Sequence, residues 1–464
     1  MKKGFLLLLL CGFSLVSLAQ LPPVSHFETN NVSATILGDG SFMLSQQLEE
    51  GVPNLCPTWE VPAGSGKETI FQHAFWFGGL DTYDTLHLAA VRYGFGGQDY
   101  WPGPLKTTDA TIDLMTVLKY HHIWSLTREE VDYFIVHHGE TGYKAPEDIL
   151  TWPAHGEGDY AQNLAPFVDT DGDGHYDPES GDYPDIKGDQ CLFFIFNDSF
   201  MEHGESEGKK IGIEVHAMVY AYDAPDDEAL NNTVFFNYKF FNRSANDYHD
   251  AYLGLWTDWD IGMWQDDFVG CDVQRNACFA YNGYENDDTY GDNPPVQVLT
   301  ILAGAQSDAK ERLGMTGFMY FNNNISNNGD PSEAEDYYNY LRGRWKNGQP
   351  MLYGGNAYDT GTLDLPCKYM FPGDSDPENI GTNGIQPEGY GTNGVYWTEE
   401  QCGNTPYDRR GLASVGPFNF PAGDSQEVDY AMITVWKNES QSAMERKGEF
   451  IDHIRTLFDN GLAK

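Results

Sequence analysis

The stretch Ile211-Gly212-Ile213-Glu214-Val215-His216-Ala217-Met218-Val219 constrains the fold most, because Ile211, Ile213, Val215, Ala217 and Val219 recur at every second position. A period of two puts those side chains on one face of an extended strand, which a helix with a period of 3.6 cannot do. Glu214 and His216 between them predict a half-buried strand with one polar face. Residues 69–77, 190–196, 233–241, 251–257, 296–302, 314–321 and 429–436 carry similar strand signals, separated by polar loops. Together they predict a mainly β chain: an antiparallel β-sandwich with long loops and a few peripheral helices.

Helix starts are sparse and of one kind. Thr127 with Glu130, Ser332 with Glu335 and Ser442 with Glu445 have the spacing of a capping box. The last opens a terminal helix with Met444, Ile451, Ile454 and Phe458 on one face and Asn460-Gly461 as its stop, a stripe suited to docking on a sheet. Two stretches lack periodicity: 139–188, rich in Pro, Gly and Asp, and 371–406, where Gly-Thr-Asn-Gly recurs at Gly381 and Gly391. The expected organisation is a signal peptide at 1–19, an N-terminal region at 20–188 and a β-sandwich region with its C-terminal helix at 189–464.

Residues 1–19 pair Lys2 and Lys3 with an apolar run from Phe5 through Val16 and end on Ser17-Leu18-Ala19, the pattern of a secretory signal cleaved after Ala19. That run is short for a membrane helix and no other segment approaches the needed length, so no membrane span is predicted. The 27 basic and 70 acidic residues give a net charge of −43, or −45 once Lys2 and Lys3 leave with the signal. Such a surface repels nucleic acid and anionic membranes and favours cations and neutral partners.

Six cysteines remain after export: Cys56, Cys191, Cys271, Cys278, Cys367 and Cys402. An oxidising compartment allows up to three disulfides among fifteen connectivities. Cys271–Cys278 suits a hairpin closure and Cys367–Cys402 a staple across the Gly-rich loop, whereas Cys191, before Leu192-Phe193-Phe194, suits a buried free thiol equally well.

The strongest chemical signal is Asp169-Thr170-Asp171-Gly172-Asp173-Gly174-His175-Tyr176-Asp177. Carboxylates on alternate residues, with glycines that let the backbone curl, form a hard-oxygen cage suited to Ca²⁺. The expected ligands are Asp169, Asp171, Asp173, the His175 carbonyl and Asp177, with Glu179 or Asp182 closing the shell. Ser180 stands where an EF-hand has its bidentate Glu, and Pro166, Pro178 and Pro184 occupy flanks that an EF-hand makes helical, so this is a helix-less loop. A solvated turn of Asx and Gly residues is the alternative.

Leu255-Trp256-Thr257-Asp258-Trp259-Asp260, followed by Trp264, Asp266 and Asp267, interleaves indoles with carboxylates. Aromatic platforms and acids are what sugar recognition uses, so Trp256, Trp259, Asp260 and Trp264 are the candidate glycan-binding residues. Paired acids from Asp258, Asp260, Asp266 or Asp267 would suit a hydrolase. The same letters also describe buried tryptophans with solvated acids, the arrangement expected here: Trp256 and at least one of Trp259 and Trp264 in the core, Asp266 and Asp267 in water. Gly64-Ser65-Gly66-Lys67 is not a P-loop, since Val61 replaces the first glycine and Glu68 the Ser or Thr. No G-x-S-x-G elbow or metalloprotease motif occurs, and His121-His122 and His137-His138 read as scattered hydrogen-bonded histidines.

Several strings carry a family likeness. Val61-Pro62-Ala63-Gly64-Ser65-Gly66-Lys67, Phe75-Trp76-Phe77-Gly78-Gly79-Leu80-Asp81 and Tyr100-Trp101-Pro102-Gly103-Pro104-Leu105 resemble the N-terminal region of large secreted Bacteroidetes proteins of the type IX secretion route. Gly181-Asp182-Tyr183-Pro184, Val269-Gly270-Cys271-Asp272-Val273, Tyr338-Asn339-Tyr340-Leu341-Arg342-Gly343 and Asn404-Thr405-Pro406-Tyr407-Asp408-Arg409-Arg410 continue the resemblance. It implies secretion or surface display, and it implies no particular activity. No sorting domain follows the terminal helix in this sequence, which leaves a fragment, a periplasmic protein or one exported with a partner as further expectations. The combined expectation is a secreted or cell-surface Ca²⁺-binding module, structural or glycan-binding and without catalysis, whose partners are glycans or cell-surface proteins. The alternative is a secreted carbohydrate-active hydrolase.

Overall fold

Two facing antiparallel sheets account for the strand periodicity. The computed structural model describes residues 22–41, 59–94 and 97–462, so the expected signal peptide and Cys56 lie outside the described residues. The larger sheet runs Asp267–Asp272, Ala277–Asn282, Val296–Ala303, Ser425–Val435, Thr233–Asn242, Ile213–Ala221, Gln190–Asn197 and Trp101–Pro102, with Trp124–Thr127 also paired to Gln190–Asn197. The smaller runs Gly317–Phe321, Arg409–Phe420, Tyr248–Trp259, Ile70–Leu80 and Leu86–Ala89.

Aromatic rings fill the space between the sheets. Phe75 and Phe77 of the smaller sheet meet Tyr238, Phe240 and Phe420 at centroid distances of 5.8, 5.6 and 5.5 Å respectively for Phe75–Tyr238, Phe77–Phe240 and Phe77–Phe420. Trp76 alternates to the opposite face, where it stacks on Trp256 at 5.9 Å and meets Tyr337 edge-on at 4.8 Å. Tyr337 belongs to the helix Ala334–Leu341, which covers this outer face. Gly254 permits that approach, because a Cβ there would lie 2.5 Å from a Leu341 methyl.

The strand Ile213–Ala221 is buried along its whole length, not on one face as its alternation predicts. Its apolar face packs in the inter-sheet core, and Met218 and Tyr220 join a second core on the other side of the sheet. Glu214 and His216 tolerate burial because they are partnered. Glu214 accepts from His216 Nε2 at 2.9 Å, Arg243 at 2.7 Å and the Leu105 N–H at 2.6 Å. The charge-assisted hydrogen bonds offset what burial would cost an isolated carboxylate.

Two of the three expected capping boxes form. Thr127 and Ser442 each form a full capping box, with Glu130 and Glu445, on Arg128–His137 and Ala443–Asp459. The latter helix buries Phe450, Ile451 and Ile454 in the second core. Ser332 does not cap: Glu333 occupies the N-cap of Ala334–Leu341 without a side-chain bond, and Asp336 instead accepts from the Ser332 N–H and hydroxyl, both at 3.0 Å. A helix starting one residue later moves Asp336 into the position that reaches back.

The expected boundary at residue 188 does not divide the packing. Phe27, Trp76 and Leu88 share one core with Phe236, Trp256 and Met432, and Ile70–Leu80 pairs directly with Tyr248–Trp259. The expected disulfides are also corrected: Cys191, Cys271, Cys278, Cys367 and Cys402 are free. Cys271 and Cys278 are opposed across adjacent strands as the hairpin reading requires, but the Cys271 thiol is turned to the Met370 carbonyl at 3.2 Å. Burial pushes the Cys191 thiol up to about 12 and raises those of Cys271, Cys278 and Cys367, which keeps them protonated and poorly nucleophilic. Among the described residues no helix is long and apolar enough to cross a membrane.

Candidate functional site

Two carboxylate clusters stand out, one on a loop and one against a sheet. The acidic loop is tied at its neck by the short ribbon in which Phe167 pairs with Pro184 and Val168 with Tyr183. Gly172 and Gly174 take φ values of 78° and 80°, a left-handed conformation that turns the chain back on itself. The curl brings carboxylate oxygens of Asp169, Asp171 and Asp173 within 4.8 Å of one another.

The remaining loop residues take other roles. Asp169 accepts from the Gly172 N–H at 2.7 Å and the Gly174 N–H at 2.8 Å, Asp171 from the Asp173 N–H at 3.1 Å, and Asp173 from the His175 N–H at 2.8 Å. Asp177 caps the short 3₁₀ turn Pro178–Ser180, accepting from the Glu179 N–H and the Ser180 hydroxyl, and the Glu179 side chain is exposed. Asp182 is buried and ties the loop ends together, accepting from the Thr170 N–H and hydroxyl at 2.8 Å each and from the Asp177 N–H at 2.9 Å. Burial alone would raise its pKa, but these donors outweigh it and hold the carboxyl below its ordinary range.

The indoles of the aromatic-acidic segment part company. Trp256 is 0% exposed and Trp259 1%, so neither offers a ring face to a sugar, whereas Trp264 is 42% exposed and stands 6.2 Å from the exposed Tyr407. Asp267 is buried rather than solvated, with one oxygen accepting from the Ile261 N–H at 2.9 Å, and burial raises its pKa well above the ordinary value. Asp266 is half-buried and pushed up to about 6 by burial and then by Asp287 and Asp288.

Asp258 and Asp260 converge instead with Asp408, an oxygen of each lying within 4.8 Å of the others. Asp258 sits directly between Gln72 on one neighbouring strand and Arg410 on the other, so all three side chains leave the sheet on the same face. Its Oδ2 accepts from the Tyr93 hydroxyl at 2.5 Å and lies 3.5 Å from Arg410, while its buried Oδ1 has no donor. Arg410 also donates to Asp408 at 2.8 Å and to the Tyr93 hydroxyl at 2.6 Å, and Asp408 accepts from Asn323 at 3.0 Å. A second guanidinium, Arg92, donates to Glu205 at 3.2 Å and to Asp330 at 3.0 Å beside this group. Burial pushes the Asp258 carboxyl up to about 7 against the pull of Arg410. Burial, then the charges of Asp258 and Asp408, raises Asp260 well above its ordinary value.

Asp408, Arg410, Tyr93 and Gln72 were not singled out by spacing. The available signal was Asp408-Arg409-Arg410 at the head of the apolar run Leu412-Ala413, where buried charge needs partners. Two of the histidines engage acceptors, His122 with Asp148 at 2.7 Å and His155 with the Gln162 carbonyl at 2.8 Å, whereas His137 Nδ1 lies 2.9 Å from a Glu140 oxygen without hydrogen-bonding geometry. No protein-family model matches the chain, and no curated protein matches it significantly.

Proposed function

We propose that this chain is an extracytoplasmic, Ca²⁺-stabilised β-sandwich module with a structural role at the cell surface or after secretion. The observation that carries the reading is the convergence of Asp169, Asp171 and Asp173 in a loop whose glycines and hydrogen-bonded ends hold it curled. Three carboxylates this close repel one another in an already acidic protein, and a divalent ion relieves that repulsion. The export pattern of residues 1–19 and the resemblance to type IX-secreted proteins support the location. The test is a thermal melt with calcium and with chelator, on wild type and on Asp171→Ala. Calcium at about 100 times Kd adds roughly 2.7 kcal/mol per site. A wild type indifferent to calcium, or an Asp171→Ala variant that keeps the full calcium response, refutes the loop assignment.

Glycan recognition is the second reading, favoured by the exposed pair Trp264 and Tyr407. A glycan array with Trp264→Ala tests it, and silence of the wild type on the array refutes it. The hydrolase alternative draws support from the elevated Asp258–Asp260 pair. A reducing-sugar assay on the wild type and Asp260→Asn tests that alternative.

A further inference from the structure

The loop and the interior cluster differ in how their negative charge is met. Each of Asp169, Asp171 and Asp173 receives at least one backbone N–H, so part of the loop's negative charge is met by the backbone itself. In the cluster of Asp258, Asp260 and Asp408, Asp408 is met by Arg410 and Asn323, but at Asp258 the donors run out. Asp258 Oδ1 is buried without a donor, and so is Oε1 of Gln72, the residue directly across from it on the neighbouring strand. Gln72 is 4% exposed and Asp258 1%. Two orphaned acceptor oxygens on one face of the sheet, beside three clustered carboxylates, describe a place that lacks a positive charge.

The nearby cations do not supply it. Arg410 is engaged by Asp408, Asp258 and Tyr93, and Arg92 is shared between Glu205 and Asp330. Counting Asp258, Asp260, Asp408, Asp330 and Glu205, five carboxylates face two guanidiniums. We propose that Asp258, Asp260 and Asp408, with Gln72 Oε1 as a neutral ligand, form an interior site for a hard divalent cation, Ca²⁺, separate from the acidic loop. The three carboxylate oxygens fall within 4.8 Å of one another, close enough for one ion at about 2.4 Å from each to reach all three. The ligand set is all oxygen, as Ca²⁺ prefers, and the half-buried Asp260 gives the ion a route in. The ion joins three adjacent strands: Gln72 lies on Ile70–Leu80, Asp258 near the end of Tyr248–Trp259, and Asp408 just before Arg409–Phe420. Its role is to lock the centre of the smaller sheet.

The experiment separates this site from the loop. Full-length protein is stripped with chelator, reloaded with Ca²⁺, and its bound calcium measured for wild type, Asp171→Ala, Asp260→Asn and Asp408→Asn. The interior site predicts that Asp171→Ala retains bound calcium and that Asp260→Asn or Asp408→Asn loses one ion relative to wild type. Calcium content unchanged in both interior variants overturns the proposal while leaving the loop reading intact, and loss confined to those variants refutes the loop and not the interior. Should the interior variants fail to fold, Tb³⁺ bound to Asp171→Ala reads the site directly. The Tyr93 hydroxyl donates to Asp258, and its ring lies 5.3 Å from that of Trp256, so an interior ion is sensitised by indole excitation. Saturable Tb³⁺ emission that Ca²⁺ displaces supports the site. Absence of emission, with Asp258 and Asp260 instead sharing a proton, overturns it.

Discussion

His73 makes the stability of this protein depend on pH through a single proton. The imidazole is 0% exposed between the sheets, 3.1 Å from the Thr257 hydroxyl and 2.9 Å from the Tyr430 hydroxyl, with its ring 5.6 Å from that of Tyr430. Burial lowers its pKa from 6.5 to about 3. Unfolding returns the ring to water, where it binds a proton at any pH below about 6.5. The folded pKa lies below the unfolded one, so the stabilising contribution is fully present above pH 6.5 and is lost as pH falls toward 3. Within that window the unfolded chain carries about one proton more, a slope of about 1.4 kcal/mol per pH unit. Carboxylates titrate there too, so the variant His73→Gln, which keeps hydrogen-bonding capacity, is the reference. Urea unfolding of both proteins from pH 6.5 to 5 is expected to show wild type losing about 2 kcal/mol more than the variant. Parallel pH profiles would mean that the folded state accepts a proton at His73, and the neutral buried imidazole would be wrong.

Arg409 and Glu399 form a buried two-pronged pair, at 3.1 and 2.9 Å, and Glu399 also accepts from the Val269 N–H at 2.9 Å. Arg409→Met leaves that carboxylate without its cation and is expected to cost about 3–5 kcal/mol in denaturant unfolding, whereas a loss under about 1 kcal/mol would place the pair in water. Ser442→Ala removes a complete capping box and should cost about 1 kcal/mol, more than Ser332→Ala, which breaks a bond to Asp336 but no cap; equal losses in urea melts would contradict the assigned helix start. Thiol alkylation of native protein, read by peptide mass, should modify half-buried Cys402 before Cys191, Cys271, Cys278 or Cys367, with all five reacting after unfolding without reductant. Peptides that stay unmodified until reductant is added would restore the disulfide reading.

Elements whose physics is local were legible in the chain. A period of two located the strands because side chains on successive residues of an extended backbone must point to opposite faces, and Thr127 and Ser442 announced their helices because a cap is satisfied within three residues. The curled acidic loop belongs to the same class, since Gly172 and Gly174 and the alternating Asp residues act within one turn of chain. Where partners come from far away, the sequence was silent or misleading. Alternation in Ile213–Ala221 marked an apolar face but not the second core that covers the polar one. Cysteines spaced for a hairpin did meet across it, but a carbonyl from the loop at Met370 took the thiol that the spacing assigned to a disulfide. Trp256 and Trp259 carry the same side chain as Trp264, and only the helix over one face and the second sheet over the other made them core while Trp264 stayed in water. Asp408 lies 150 residues from Asp258 along the chain, and the pairing of Arg409–Phe420 with Tyr248–Trp259 is what brings their charges together. Burial and the meeting of distant charges depend on which surfaces the whole chain brings into contact, and no local pattern encodes that.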